Sequence, residues 1–175
     1  KGFDNYITLR KDYRAKDCQK LQDVKLELRK YIEKGKAKKT RDEKLDVRRE
    51  AIEYIKTVIP TITPEDLRKT YKAHDMILCS KHTVKDEYNE MFKDVEKYLV
   101  KNNTKLYSNS EIIFDAPPAG VKAEITHGFT IHAIQGETLN DPNKLYIDLR
   151  NMFSDRMLYT AVSRARNIQQ IYLIQ

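Results

Sequence analysis

Two groups of residues in this chain could do chemistry. Thr130, His132, Gln135, Gly136 and Thr138 form a polar run at the end of an apolar, β-like segment. Arg164 and Arg166 follow downstream on a short amphipathic stretch. Small residues and a glycine let backbone amides come close to an anion, because no side chain blocks the approach. A guanidinium then adds a planar, permanently charged set of donors. Together these features fit a site that senses phosphate.

In chain order, the pattern T-x-H-x-x-Q-G-x-T, a strand ending at Asp148, the pattern Y-x-A-x-S-R-A-R and a final strand resemble motifs V and VI of superfamily 1 helicases. The wording is most similar to the RecD-like branch that moves 5′ to 3′ on DNA. FTIHAIQGET and YTAVSRAR also resemble helicases of large DNA viruses and phages. The resemblance covers His74 to Gln175 well, Phe3 to Gly35 in part, and residues 36–73 not at all. Near the start, a weak strand, then Tyr13-Arg14, then a helix resembles motif IV.

The resemblance implies a set of roles. Arg164 is the arginine finger and Arg14 a second γ-phosphate sensor; in phosphoryl transfer such a guanidinium stabilises the charge that redistributes as the bond breaks. Tyr13 lies near the adenine. Gln135 and Gly136 flank the nucleotide, with Gln135 bridging toward nucleic acid. Arg166 belongs to the ATP side, or else to the helix end or the DNA side. Ser80, Lys81 and His82, in the turn after a strand, contact single-stranded DNA together with Thr130 and His132. Read without the family, the alternatives stay open. Arg14 is equally a surface arginine, His82 a solvent-facing loop histidine, His132 a satisfied, partly buried histidine, and the arginine pair favourable charge at a helix C-terminus.

The elements that must position these residues follow from periodicity. The reading is α/β: a RecA-like parallel sheet flanked by helices, in one domain over 1–175, with a helical insertion or annex at 36–73. Leu21, Val24, Leu28, Tyr31 and Ile32 share one helical face, with Gly35 as its stop. Lys36 to Arg41 (KAKKTR) reads as a solvated connector that could touch phosphates. Leu45, Ile52, Ile55 and Ile59 predict a second helix ended by Pro60, and Thr63-Pro64 start a third. Met76 to Cys79 is a buried strand. Thr83 with Asp86 resembles a capping box for a helix carrying Val84, Tyr88, Met91, Phe92, Val95, Tyr98 and Leu99. Lys105 to Phe114 and Val121 to Thr126 read as the arms of a reduced hairpin. Phe129 to Ile131, Lys144 to Asp148 and Ile168 to Ile174 complete the strands. Ser154 caps the last helix, which turns Met157, Leu158, Ala161, Val162 and Ala165 inward and leaves Arg164 off the apolar face.

Composition and absences bound the function. The chain has 175 residues and a formal net charge of +7, which suits either a polyanionic partner or a solvated lysine-rich surface. Cys18 and Cys79 are far apart and, like the four histidines, lack metal spacing. A reducing, intracellular setting is expected, in cytoplasm, nucleus or a viral replication site. No apolar run approaches the roughly 20 residues of a membrane span. No G-x-x-x-x-G-K-[ST] loop occurs, so ATP and Mg²⁺ are expected to be held mainly by an N-terminal RecA-like domain of the same polypeptide. The chain begins at Lys1 and reads as a piece of something longer. Single-stranded DNA, that domain and replication proteins are the expected partners. The alternative is a non-enzymatic nucleic-acid-binding or interaction module that kept the fold; a metal-dependent nuclease would need clustered carboxylates and histidines that the spacing does not provide.

Overall fold

A computed structural model of the chain describes residues 18–95, 98–100, 113–114, 123–134, 138–139, 142–152 and 154–175. Among these, five parallel strands form the main sheet, in the order β1-β8-β7-β2-β6. They are β1 (Thr61–Ile62), β2 (Met76–Cys79), β6 (Gly128–Thr130), β7 (Leu145–Asp148) and β8 (Ile171–Ile174). The inner strands β2 and β7 are buried at every residue, as a parallel sheet covered on both faces requires.

One face of the sheet carries Met76, Leu78, Leu145, Ile147, Ile171 and Leu173. Three helices cover it: α1 (Gln19–Ala37), α2 (Arg41–Val58) and α5 (Asp155–Val162). Leu21, Val24 and Leu28 bury one stripe of α1; Ala51 and Ile55 of α2 and Leu158 and Ala161 of α5 join the same core. The pairing of Tyr31 with Tyr54, ring centroids 5.9 Å apart, and the ion pair of Lys34 with Glu50 make α1 and α2 antiparallel. The other face carries Ile77, Cys79, Tyr146 and Ile174. It lies under α3 (Pro64–Thr70), through Leu67, and α4 (His82–Met91), through Val84 and Tyr88.

Several boundaries differ from the sequence reading. Gly35 does not stop α1, which runs to Ala37; an interior glycine costs only about 1 kcal/mol against alanine, too little to end a helix whose flank is packed. The connector is therefore only Lys38–Thr40. Thr40 caps α2 with Glu43 in a reciprocal capping box. Residues 36–73 form α2, β1 and α3 and are woven into both faces of the sheet rather than set beside it. Helix α4 begins at His82, so Thr83 lies inside it and the cap residue is Lys81, with no side-chain bond. It ends at Met91. Tyr98–Val100 form β3, which pairs antiparallel with β4 (Ile113–Phe114) and β5 (Ala123–Ile125) in a separate three-stranded sheet. No glycine or proline marks the exit from α4, so the helical spacing runs on in the sequence where strand pairing takes over. Ile168–Gln170 is a 3₁₀ turn capped by Asn167, and β8 starts only at Ile171.

Candidate nucleotide and nucleic-acid interface

Because the strands are parallel, their C-terminal ends share one edge, where ligands of open α/β sheets bind. Cys79 is in register with Thr130. The turns leaving β2 and β6 therefore stand side by side, and the Ile131 amide donates to the Cys79 carbonyl at 3.0 Å. Ser80, Lys81 and His82 are brought beside Thr130 and His132. Lys81, His82 and His132 are exposed, whereas Ser80 and Thr130 are buried. The first turn of α4 adds backbone donors and the positive end of its dipole at the same edge.

Gly128 makes this alignment possible. A Cβ there would lie 3.0 Å from the Lys85 carbonyl oxygen and 3.1 Å from the Lys85 Cα, so a side chain would have to push α4 off β6 by a few tenths of an ångström. Asn89, one turn further along α4, fixes the same strand: its Oδ1 accepts from the amides of His127 and Gly128, at 2.8 and 3.1 Å. The edge strand β6 is thus held to α4 by a side chain as well as to β2 by its backbone.

The sequence reading missed the hub of this edge. Asp148, fully buried at the end of β7, accepts from Tyr88 Oη at 2.7 Å, from the Arg150 amide at 2.7 Å and from Arg150 Nε at 2.8 Å. Arg150 also pairs with Glu87 at 2.9 Å, and its carbonyl accepts from Ser80 Oγ at 2.8 Å. One carboxylate thereby ties α4, β7 and the turn after β2 together. Burial, then the bond to Asp148, pushes the Tyr88 hydroxyl pKa upward, so tyrosine stays a neutral donor. The bond to Asp148 raises that of Arg150. Burial, helped by the Asp148 charge, pushes the Cys79 thiol up to about 12, which keeps it unreactive. An aspartate at a strand end with an arginine two residues later was the available signal.

A second corner lies at the other end of α5, where the chain turns into β8. The sequence reading sets Arg164 off the apolar face. Instead it is only 5% exposed, in the turn after the helix, with its guanidinium folded back. Nε donates to the Thr160 carbonyl at 3.0 Å and an Nη to Ser163 Oγ at 2.6 Å. Its own carbonyl accepts from the Leu139 amide at 2.8 Å. Arg166 is exposed, and its amide donates to Gln170 Oε1 at 2.9 Å. Buried Gln170 also receives the Asn167 amide and donates to the Asn143 carbonyl, which fixes the segment after Arg164. Cys18 Sγ meets Asn167 Oδ1 at 3.6 Å. The start of α1, the stretch Thr138–Leu139 and the segment Arg164–Asn167 therefore converge. Tyr13, Arg14, Gln135 and Gly136 lie outside the described residues.

Thr130 is in register with the end of β2, and Leu139, next to Thr138, donates to the Arg164 carbonyl. Among the described residues, no group of three His, Cys, Asp or Glu could hold a metal ion. No helix among them is long and apolar enough to cross a membrane.

No family model matches the sequence, and no curated protein matches it. Among solved structures, the fold is similar to the crystal structure of Pif1 helicase from Candida albicans, with a TM-score of 0.59 and 14% identity. The match covers 97% of this chain and 56% of that one, so the chain spans little more than half of the helicase it resembles. In its five-stranded parallel sheet flanked by helices, the chain has the fold of a RecA-like helicase domain.

Proposed function

We propose that the chain is the second motor domain of an ATP-dependent DNA helicase of the 5′-to-3′, RecD-like kind. ATP and Mg²⁺ are held mainly by a first RecA-like domain. Arg164 and Arg14 reach toward the γ-phosphate across the cleft, with Tyr13, Gln135, Gly136 and Arg166 around the nucleotide. Ser80, Lys81, His82, Thr130 and His132 grip single-stranded DNA on the strand edge. The observation that supports this reading best is the convergence around Asn167. Segments flanking three motif-like stretches meet through Cys18–Asn167, 149 residues apart, and Leu139–Arg164, 25 residues apart.

For Arg164 to act as a finger, its guanidinium must exchange its bonds to the Thr160 carbonyl and the Ser163 hydroxyl, among others, for phosphate oxygens. A doubly charged phosphoryl group is a stronger acceptor than either, so nucleotide can draw the side chain out.

The test uses the protein with both motor domains. Arg164→Ala should lower nucleic-acid-stimulated ATP hydrolysis by about a thousandfold or more, while single-strand affinity stays within a few-fold. Arg164→Lys should rescue little, because lysine lacks the fork. Near-normal turnover in either variant refutes the assignment. The folded-back guanidinium also supports a second reading, a binding module without motor activity. That reading predicts strand binding with no stimulated hydrolysis in the unmodified protein.

A further inference from the structure

A cationic pocket opens where the C-terminal end of α1, the start of α2 and the head of α5 meet. Its cavity is about 230 Å³, and Gly35, Lys36, Lys44, Arg48, Ser154 and Arg156 line it. No carboxylate is among the lining residues that the structure describes. Lys36 is paired with Glu33 at 2.6 Å, but Lys44 and Arg156 make no ion pair among the described residues. Both are exposed. Arg48 is braced by the Met152 carbonyl at 3.4 Å, in the loop that leaves β7. Lys44 and Arg156 face one concavity with no ion partner among the described residues, and an anion between them relieves their mutual repulsion.

The position says which anion. Ser80 Oγ donates to the Arg150 carbonyl and Arg48 to the Met152 carbonyl two residues on, so the pocket and the turn after β2 sit on the same loop between β7 and α5. Lys36, Lys44 and Arg48 come from α1 and α2, in the stretch that the helicase-like patterns do not cover, and Arg156 from the first turn of α5. Among the described residues the cavity is lined by basic, aliphatic and small groups with no aromatic ring. It suits a phosphate and offers a base nothing to stack on.

We propose that this pocket binds a backbone phosphate of single-stranded nucleic acid, extending the track from the β2–β6 edge across the β7 side of the domain. The inference rests on the strand-edge reading of the proposed function. Lys44 and Arg156 supply the contacts; Arg48 holds the loop they face.

The experiment measures oligonucleotide affinity against salt for the unmodified protein, for Lys44→Ala/Arg156→Ala, and for Lys81→Ala. Oligonucleotides run from about 4 to about 16 nucleotides, the range of common single-strand sites. The changed residues are exposed, and a melting temperature matching the unmodified protein confirms that each variant folds. The pocket variant should weaken binding of the longest oligonucleotide. Its slope of log affinity against log salt should fall by about 0.7 for each phosphate that the variant no longer neutralises. The shortest oligonucleotides, which do not reach the pocket, should bind as before. Lys81→Ala should weaken binding at every length. An unchanged slope for the pocket variant, with Lys81→Ala still weakened, overturns the pocket and spares the strand edge. Absence of salt-dependent binding in the unmodified protein overturns both. Titration with inorganic phosphate forms the other arm: phosphate binding that the pocket variant abolishes, with long-oligonucleotide affinity intact, assigns the pocket to a free anion and overturns the proposal.

Discussion

Asp148 is the residue whose replacement should reveal how the strand edge is held. Asp148→Asn keeps the shape and removes the charge. Its tie to Arg150 is modest: that guanidinium is 52% exposed and keeps Glu87, so the loss there is at most about 1 kcal/mol. The bond from Tyr88 is different, because both groups are buried. A hydrogen bond to a charged acceptor is worth about 1.5–3 kcal/mol, and a neutral amide returns roughly half of that. The asparagine NH₂ must also face one of the donors that met the carboxylate. A total cost of about 2–3 kcal/mol follows. Tyr88→Phe should cost about 1.5–3 kcal/mol by itself. Because both remove one interaction, the double variant should fall short of additivity by about 1 kcal/mol. Denaturant unfolding of the four proteins measures this cycle. Asp148→Asn should also weaken oligonucleotide binding, since the Arg150 carbonyl orients Ser80. Single losses below about 0.5 kcal/mol that add without coupling would show that Asp148 is not a hub.

Gly128→Ala should destabilise the fold by roughly 1–3 kcal/mol, the range for overpacking, because the close approach is to Lys85 backbone that cannot turn aside; a melting temperature equal to that of the unmodified protein would contradict the tight seating of α4 on β6. The alkaline limb of stability should be steep. Folding raises the Cys79 thiol from 9.0 to about 12 and raises the buried Tyr88 and Tyr71 hydroxyls above 10.0, with burial the leading cause in each. The unfolded chain then loses protons first, so this stability is complete below about pH 9 and drains away from there toward pH 12. Melting temperatures between pH 8 and 11 check it, and a flat profile would deny that these groups are desolvated.

Chemistry and element type were legible in the residues themselves. The apolar runs MILC and LYID announced buried strands because a parallel sheet covered on both faces leaves no polar alternation. The stripe Leu21, Val24, Leu28 announced a helix because its period matches one helical face. Local signals such as Ser154 before α5 or Thr63-Pro64 before α3 act over three or four residues, so sequence alone contains them. What only the tertiary structure decided depends on contacts between distant segments. Tyr98 and Leu99 have helical spacing, yet strands on either side claim them. Residues 36–73 look like an addition because no motif covers them, but Ala51 and Ile55 are core. Asp148 draws no notice until Tyr88 and Arg150 come within bonding distance. Arg164 carries its charge in any conformation; whether the guanidinium points outward or back onto Thr160 is set by the turn after α5 and by the packing around it, which no spacing rule encodes.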